Sequence, residues 1–164
     1  MLGARYLFRL RGVVALFTLT AGAVHALPNF ASPNFASPSN EPTVEDLKAK
    51  VPSVSVGDRP HLCVQIAQRQ LTAADKLYAD SEFEKGQAAL GDVVTYSEMA
   101  RDYAIQSHKY QKQSEIAVRS MTRRLGEILH LVGHEDQAPV RDAIDRLQRV
   151  RDDLLKAMFP KGAK

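Results

Sequence analysis

Glu127 and His130 stand at i and i+3, the Glu-x-x-His spacing from which helical bundles build half of a di-metal carboxylate centre. A whole centre needs a second such pair and two further carboxylates, and none stands at helical spacing elsewhere in the chain. His130 and His134 lie four apart, but Gly133 between them is expected to end the helix, which takes the two imidazoles off a common face. Cys63 is the single cysteine, so an intramolecular disulfide is impossible, although a bridge to another chain stays open in an oxidising compartment. It sits beside Leu62 and Ile66 and reads as a small core residue. No Ser, Cys or Thr comes with a recognisable base and orienting group, and no glycine-rich phosphate loop occurs. These residues lead to the expectation of a protein that is not an enzyme and holds no metal or cofactor. The alternative is a metal- or small-ligand-responsive bundle using Glu127 and His130.

Two other sets of residues are suited to recognition. Tyr96, Tyr103 and Tyr110 recur every seven residues, with Ala89 and Ala117 extending their line and Val93, Ala100, Ser107, Ser114, Met121 and Ile128 forming a second line beside it. Alternating large and small layers let helices pack closely. The tyrosine line is therefore a candidate interface with a second copy or another protein. Between 109 and 124, Lys109, Lys112, Arg119, Arg123 and Arg124 face Glu115 alone, whereas 75 to 102 holds seven acidic and three basic residues. Such blocks form solvated faces that attract one another, or they meet an anionic partner such as an acidic protein or lipid headgroups at a membrane surface.

The start of the chain bears on where these surfaces operate. MLGARYLFRLRGVVALFTLTAGAVHA places Arg5, Arg9 and Arg11 before an apolar run and then small residues, the order of an export signal over 1–26. Cleavage is expected after Ala26, with Ala23 as the alternative, leading to a periplasmic or secreted protein. A mitochondrial address is the rival, because no acidic residue precedes Glu41. Loss of three arginines turns the formal charge of +3 into 19 basic against 19 acidic side chains, so general attraction to nucleic acid has no support. Six of the eight prolines fall within 27–60, which opens with the duplication PNFASPNFASP. This composition reads as a linker with too little apolar surface to order itself, removable up to Pro60. Inside it, TVEDLKAKV carries Thr43 as cap, Asp46 at the capping-box position and Leu47 at helical spacing, which predicts a short helix near 43–51.

From 61 to 160 the apolar period is helical throughout, and 161–164 is a tail. The first helix of this domain is expected over 61–79. Ser81 and Glu84 then have capping-box spacing, predicting a new helix from Glu82. The stretch AADKLYADSEFEKGQAAL, residues 73–90, resembles the turn of a tetratricopeptide repeat, with Tyr78, Phe83, Gly86 and Ala89 near the expected positions, within about 62–95. That resemblance implies a helical hairpin and a protein-binding role, and it does not recur along the chain as an array requires.

The second helix is predicted from Glu82 to Val132, a span of roughly 75 Å at ~1.5 Å per residue. A bend near Gln106 and Ser107 is the alternative, but no Gly or Pro lies between Gly91 and Gly126 to cause one. The third helix follows GHED, with Asp136 as cap and Pro139 in its first turn, and must fold back antiparallel on the second. The expected architecture is all-α: a hairpin leading into a long central helix, then a returning C-terminal helix. The expected role is that of an exported, non-enzymatic protein that binds protein partners or itself.

Overall fold

The computed structural model describes residues 41–160; the expected export signal over 1–26, the PNFASP duplication and the tail lie outside them. The described chain folds into five α-helices: α1 (Val44–Lys50), α2 (Arg59–Ala79), α3 (Phe83–Ser107), α4 (Gln111–Leu131) and α5 (Gln137–Met158), with a 3-10 turn at His134–Asp136 before the last. The all-helical class is as the sequence predicts.

Helix α1 begins with the expected capping box. The Thr43 hydroxyl accepts from the Asp46 amide at 3.1 Å, and the Asp46 carboxylate accepts from the Thr43 amide at 2.9 Å. Its apolar side is not idle. Leu47 and Val51 are buried with Cys63, Val64, Ile66, Ala100 and Ala117, so 41–60 packs with the domain where its prolines suggest an open linker. Local polar ties hold it there. The Lys48 ammonium donates to Asp92 at 2.7 Å, and Arg59 donates to the Val54 and Pro52 carbonyls at 3.2 and 3.1 Å while lying over the Tyr103 ring.

Helix α2 ends in a Schellman motif, which corrects the predicted role of Ser81. The Glu82 amide reaches the Leu77 carbonyl at 2.8 Å and the Ser81 amide the Tyr78 carbonyl at 3.1 Å, with Ser81 left-handed at φ 60°. Closing α2 in this way takes Ser81 out of the extended backbone an N-cap needs, and α3 starts after Glu82 with no side-chain cap. Across the hairpin Gly86 lies against Tyr78, where any Cβ would come within 2.9 Å of the ring.

The predicted helix from Glu82 to Val132 is two helices. It breaks at His108, Lys109 and Tyr110, with His108 at φ 56°, ψ 20° and Tyr110 at φ 59°, ψ 13°, so the chain reverses by left-handed backbone rather than by Gly or Pro. The reversal makes an up-down-up-down bundle from α2 to α5. Helix α2 packs on α3 and α4, and α5 on α4 and α3, so α3 and α4 face each other across the bundle. The core runs through Leu71, Tyr78, Leu90, Val93, Val118, Leu125, Ile128, Val140, Leu147 and Leu154. One carboxylate is buried among the described residues: Glu115, 7% exposed, accepts at 2.8 Å from Arg151, whose own side chain is 40% exposed.

Candidate functional site

The tyrosine line does not form an uncovered interface. Tyr96 is half-buried against both clusters with the Lys48 ammonium 5.5 Å from its ring centre, and Tyr103 is half-buried against the α1 cluster beneath Arg59. Tyr110 departs from the line at the chain reversal, where it is exposed and stacks on His61 at 5.7 Å. Helix α1 and the segment leading to α2 supply the cover that the sequence reading found missing. Burial raises the Tyr96 phenol above its usual range, a shift that Lys48 partly opposes.

The basic stretch is different, because helical geometry divides it. Arg124 is used within the fold, bridging Asp75 of α2 and Glu127 of its own helix. Lys109 lays its stem across Gly57 in the loop before α2. Glu115 is turned inward to Arg151, leaving Arg119 only a loose approach of 3.9 Å to it. Lys112 and Arg123 have no ion-pair partner among the described residues. Both acidic groups of α4 are therefore engaged elsewhere, and three cations remain outward.

Lys112, Ile116, Arg119 and Arg123 fall on one helical stripe, since steps of four, three and four residues keep close to one face. Ile116 is 45% exposed in its middle, next to Ser120. Ile116 lies off the buried seam, so heptad periodicity does not mark it; its signal in the sequence is an isolated branched apolar residue amid a basic face. Beside the stripe, Gln68, Leu71 and Thr72 of α2 line a shallow groove with Ser120, Met121 and Arg123. This surface can bind anions through guanidinium forks and seat one apolar knob, and nothing in its make-up activates a nucleophile.

The remaining chemical candidates are spread out. Cys63 is fully buried, and desolvation pushes its thiol up to about 11, with Arg59 partly opposing. His130 and His134 are exposed, and α4 ends between them as expected, at Leu131 with Val132 extended, although Gly133 itself, at φ −59°, is not a left-handed cap. Among the described residues no group of three or more His, Cys, Asp or Glu side chains is placed to hold a metal ion, and no helix is long and apolar enough to cross a membrane. Compared with known proteins, the chain matches no family model, no curated protein and no solved structure.

Proposed function

We propose that the chain is an exported, non-enzymatic interaction protein whose α4 outer face docks an acidic protein partner. The observation that carries this reading is the stripe of Lys112, Arg119 and Arg123 around the exposed Ile116, where Glu115 is turned inward to Arg151 and meets Arg119 only at 3.9 Å, and Glu127 is taken by Arg124. Arginine forks suit carboxylate pairs on a partner, and a branched apolar side chain among them suits a small pocket rather than a bilayer. A membrane-seeking helix needs a contiguous apolar face, which one isoleucine does not supply. Export rests on the basic, apolar and small segments of 1–26, and the tetratricopeptide resemblance of 73–90 agrees with a binding role.

A photo-crosslinking residue at Ile116, in protein expressed in its native cells, tests this. Adducts to a discrete acidic protein, lost when Arg119→Glu and Arg123→Glu are introduced together, are the expected result. Adducts that survive the double reversal refute the docking, and capture by anionic vesicles lost on reversal would move the reading to a lipid surface. Mass spectrometry of the same material is expected to find a mature chain starting at Leu27; intact Met1 refutes export.

A further inference from the structure

We infer that His108, Lys109 and Tyr110 form a hinge at which two copies of the chain exchange their α4–α5 hairpins, with α3 and α4 joined in each copy into one continuous helix. Three independent features of the fold lead there. First, the reversal is conformationally costly: two of its residues are non-glycine and left-handed, a backbone state that disfavours any Cβ-bearing residue. Its hydrogen bonding is thin as well. Helix α4 starts without a side-chain cap, and the Lys109 amide reaches only the Ser107 hydroxyl at 3.3 Å. A continuous helix would return these groups to regular backbone bonds.

Second, the buried stripe keeps its phase through the break. Val93 and Ala100 in α3 and Ser114, Met121 and Ile128 in α4 are all buried and all fall on one seven-residue repeat, whose intervening position is Ser107. Two helices separated by a loop have no need of a common register. One long helix requires it.

Third, everything that joins the two hairpins can form between chains as well as within one. The α2–α3 hairpin meets α4–α5 through the shared core, through the Arg146 fork on Glu98 at 2.9 Å, through Arg101 with Asp153 at 3.2 Å, and through Arg124 with Asp75. An exchanged dimer keeps all of these. The losses at the hinge are small: the stacking of Tyr110 on His61 and the rest of the Lys109 stem on Gly57. Short, strained connections between well-packed halves are the ones that exchange.

The test compares two hinge variants of the purified protein by sedimentation over a wide concentration range, after refolding at high concentration. His108→Gly with Tyr110→Gly relieves the left-handed residues and weakens the continuous helix at both hinges of a dimer, and should loosen any dimer by about ten-thousandfold or more. His108→Ala with Tyr110→Ala does the reverse and should tighten it by about thirtyfold. In an Arg146→Lys background, a zero-length carbodiimide link between Glu98 and the substituted side chain reports which chain supplies each partner. Isotopically heavy and light chains refolded together should give mixed heavy–light links in the dimer fraction and unmixed links in the monomer. An alanine variant as monomeric as the glycine variant overturns the proposal. So does a dimer fraction containing unmixed links alone, which would be side-by-side association. Failure of the alanine variant to fold also counts against it, because the continuous helix accepts alanine at both positions.

Discussion

Replacing Leu47 by Ala removes the side chain that fastens α1 to the bundle. Leu47 is 3% exposed and packs in one cluster with Val51, Cys63, Val64 and Ile66. Burying a leucine is favourable by roughly 1.5–3 kcal/mol, and a cavity left behind raises the cost of truncation to about 2–5 kcal/mol. Because α1 is a short outer element that can settle into the gap, the low end applies, about 2–3 kcal/mol. Polar ties do not make up the difference. The Lys48–Asp92 bridge is about one-third exposed on each side and contributes at most about 0.5 kcal/mol. Against a typical domain stability of about 5–15 kcal/mol the loss is large. Urea unfolding followed by circular dichroism should show a lower midpoint at unchanged slope.

Cys63 supplies a local readout of the same event. It shares the Leu47 cluster, is fully buried, and its thiol is pushed up to about 11, so the reactive thiolate is scarce at neutral pH. Loosening α1 opens that cluster. If labelling by an aromatic disulfide proceeds through undocked α1, the variant should react about 30- to 150-fold faster, the factor equivalent to about 2–3 kcal/mol. A stability loss below about 0.5 kcal/mol together with an unchanged labelling rate would show that α1 is only an appended segment. A chain shortened to begin at His61 loses Leu47 and Val51 together and is expected to be less stable still.

Other substitutions test separate parts of the fold. Ser81→Gly places glycine at the left-handed position closing α2 and should stabilise by about 0.5–1 kcal/mol in thermal or urea unfolding; a loss would remove the Schellman reading. Gly86→Ala sets a Cβ 2.9 Å from the Tyr78 ring and should cost about 1–2 kcal/mol after its gain in helix propensity, so a stabilised variant would refute the close approach. Glu115→Gln keeps the shape but leaves Arg151 without its counter-charge, and should lower the urea midpoint by the equivalent of about 1–2 kcal/mol, less than for a buried pair because Arg151 is 40% exposed. Burial raises the Cys63 thiol from 9.0 to about 11, so the folded protein keeps a proton that the unfolded chain releases. That contribution is whole below about pH 9 and fades as pH rises through about 11. Cys63→Ala should therefore flatten the decline of stability across that window, and an equally steep decline would show that the thiol is not held in its neutral form.

The sequence displayed its periodic features and concealed those decided by tertiary contact. The capping box at Thr43 and the seam through Val93, Ala100, Met121 and Ile128 were legible because each depends on residues a few positions apart. The place of α1 was not. Prolines at 42, 52 and 60 suggested an open linker, whereas Pro52 follows α1 and Pro60 occupies the first turn of α2, where a missing amide hydrogen costs little. The basic face was legible as a run, but its division was not, since Arg124 is consumed by Asp75, which lies 49 positions away in sequence.

The break at 108–110, met in the sequence only by the less favoured bend near Gln106 and Ser107, has a physical reason. His, Lys and Tyr are ordinary helix residues, so nothing local stops α3 there. What stops it is the burial gained when α4 and α5 return to cover α2 and α3, because a single straight helix would leave Val93, Val118, Leu125 and Leu147 without one another. That gain does not depend on which copy of the chain provides the cover. At low concentration the hinge bends and the chain covers itself; at high concentration a second copy can do so without the left-handed residues. The continuous helix in the sequence and the broken helix in the fold are then two solutions to the same burial requirement, separated by the backbone cost at His108 and Tyr110 and by protein concentration.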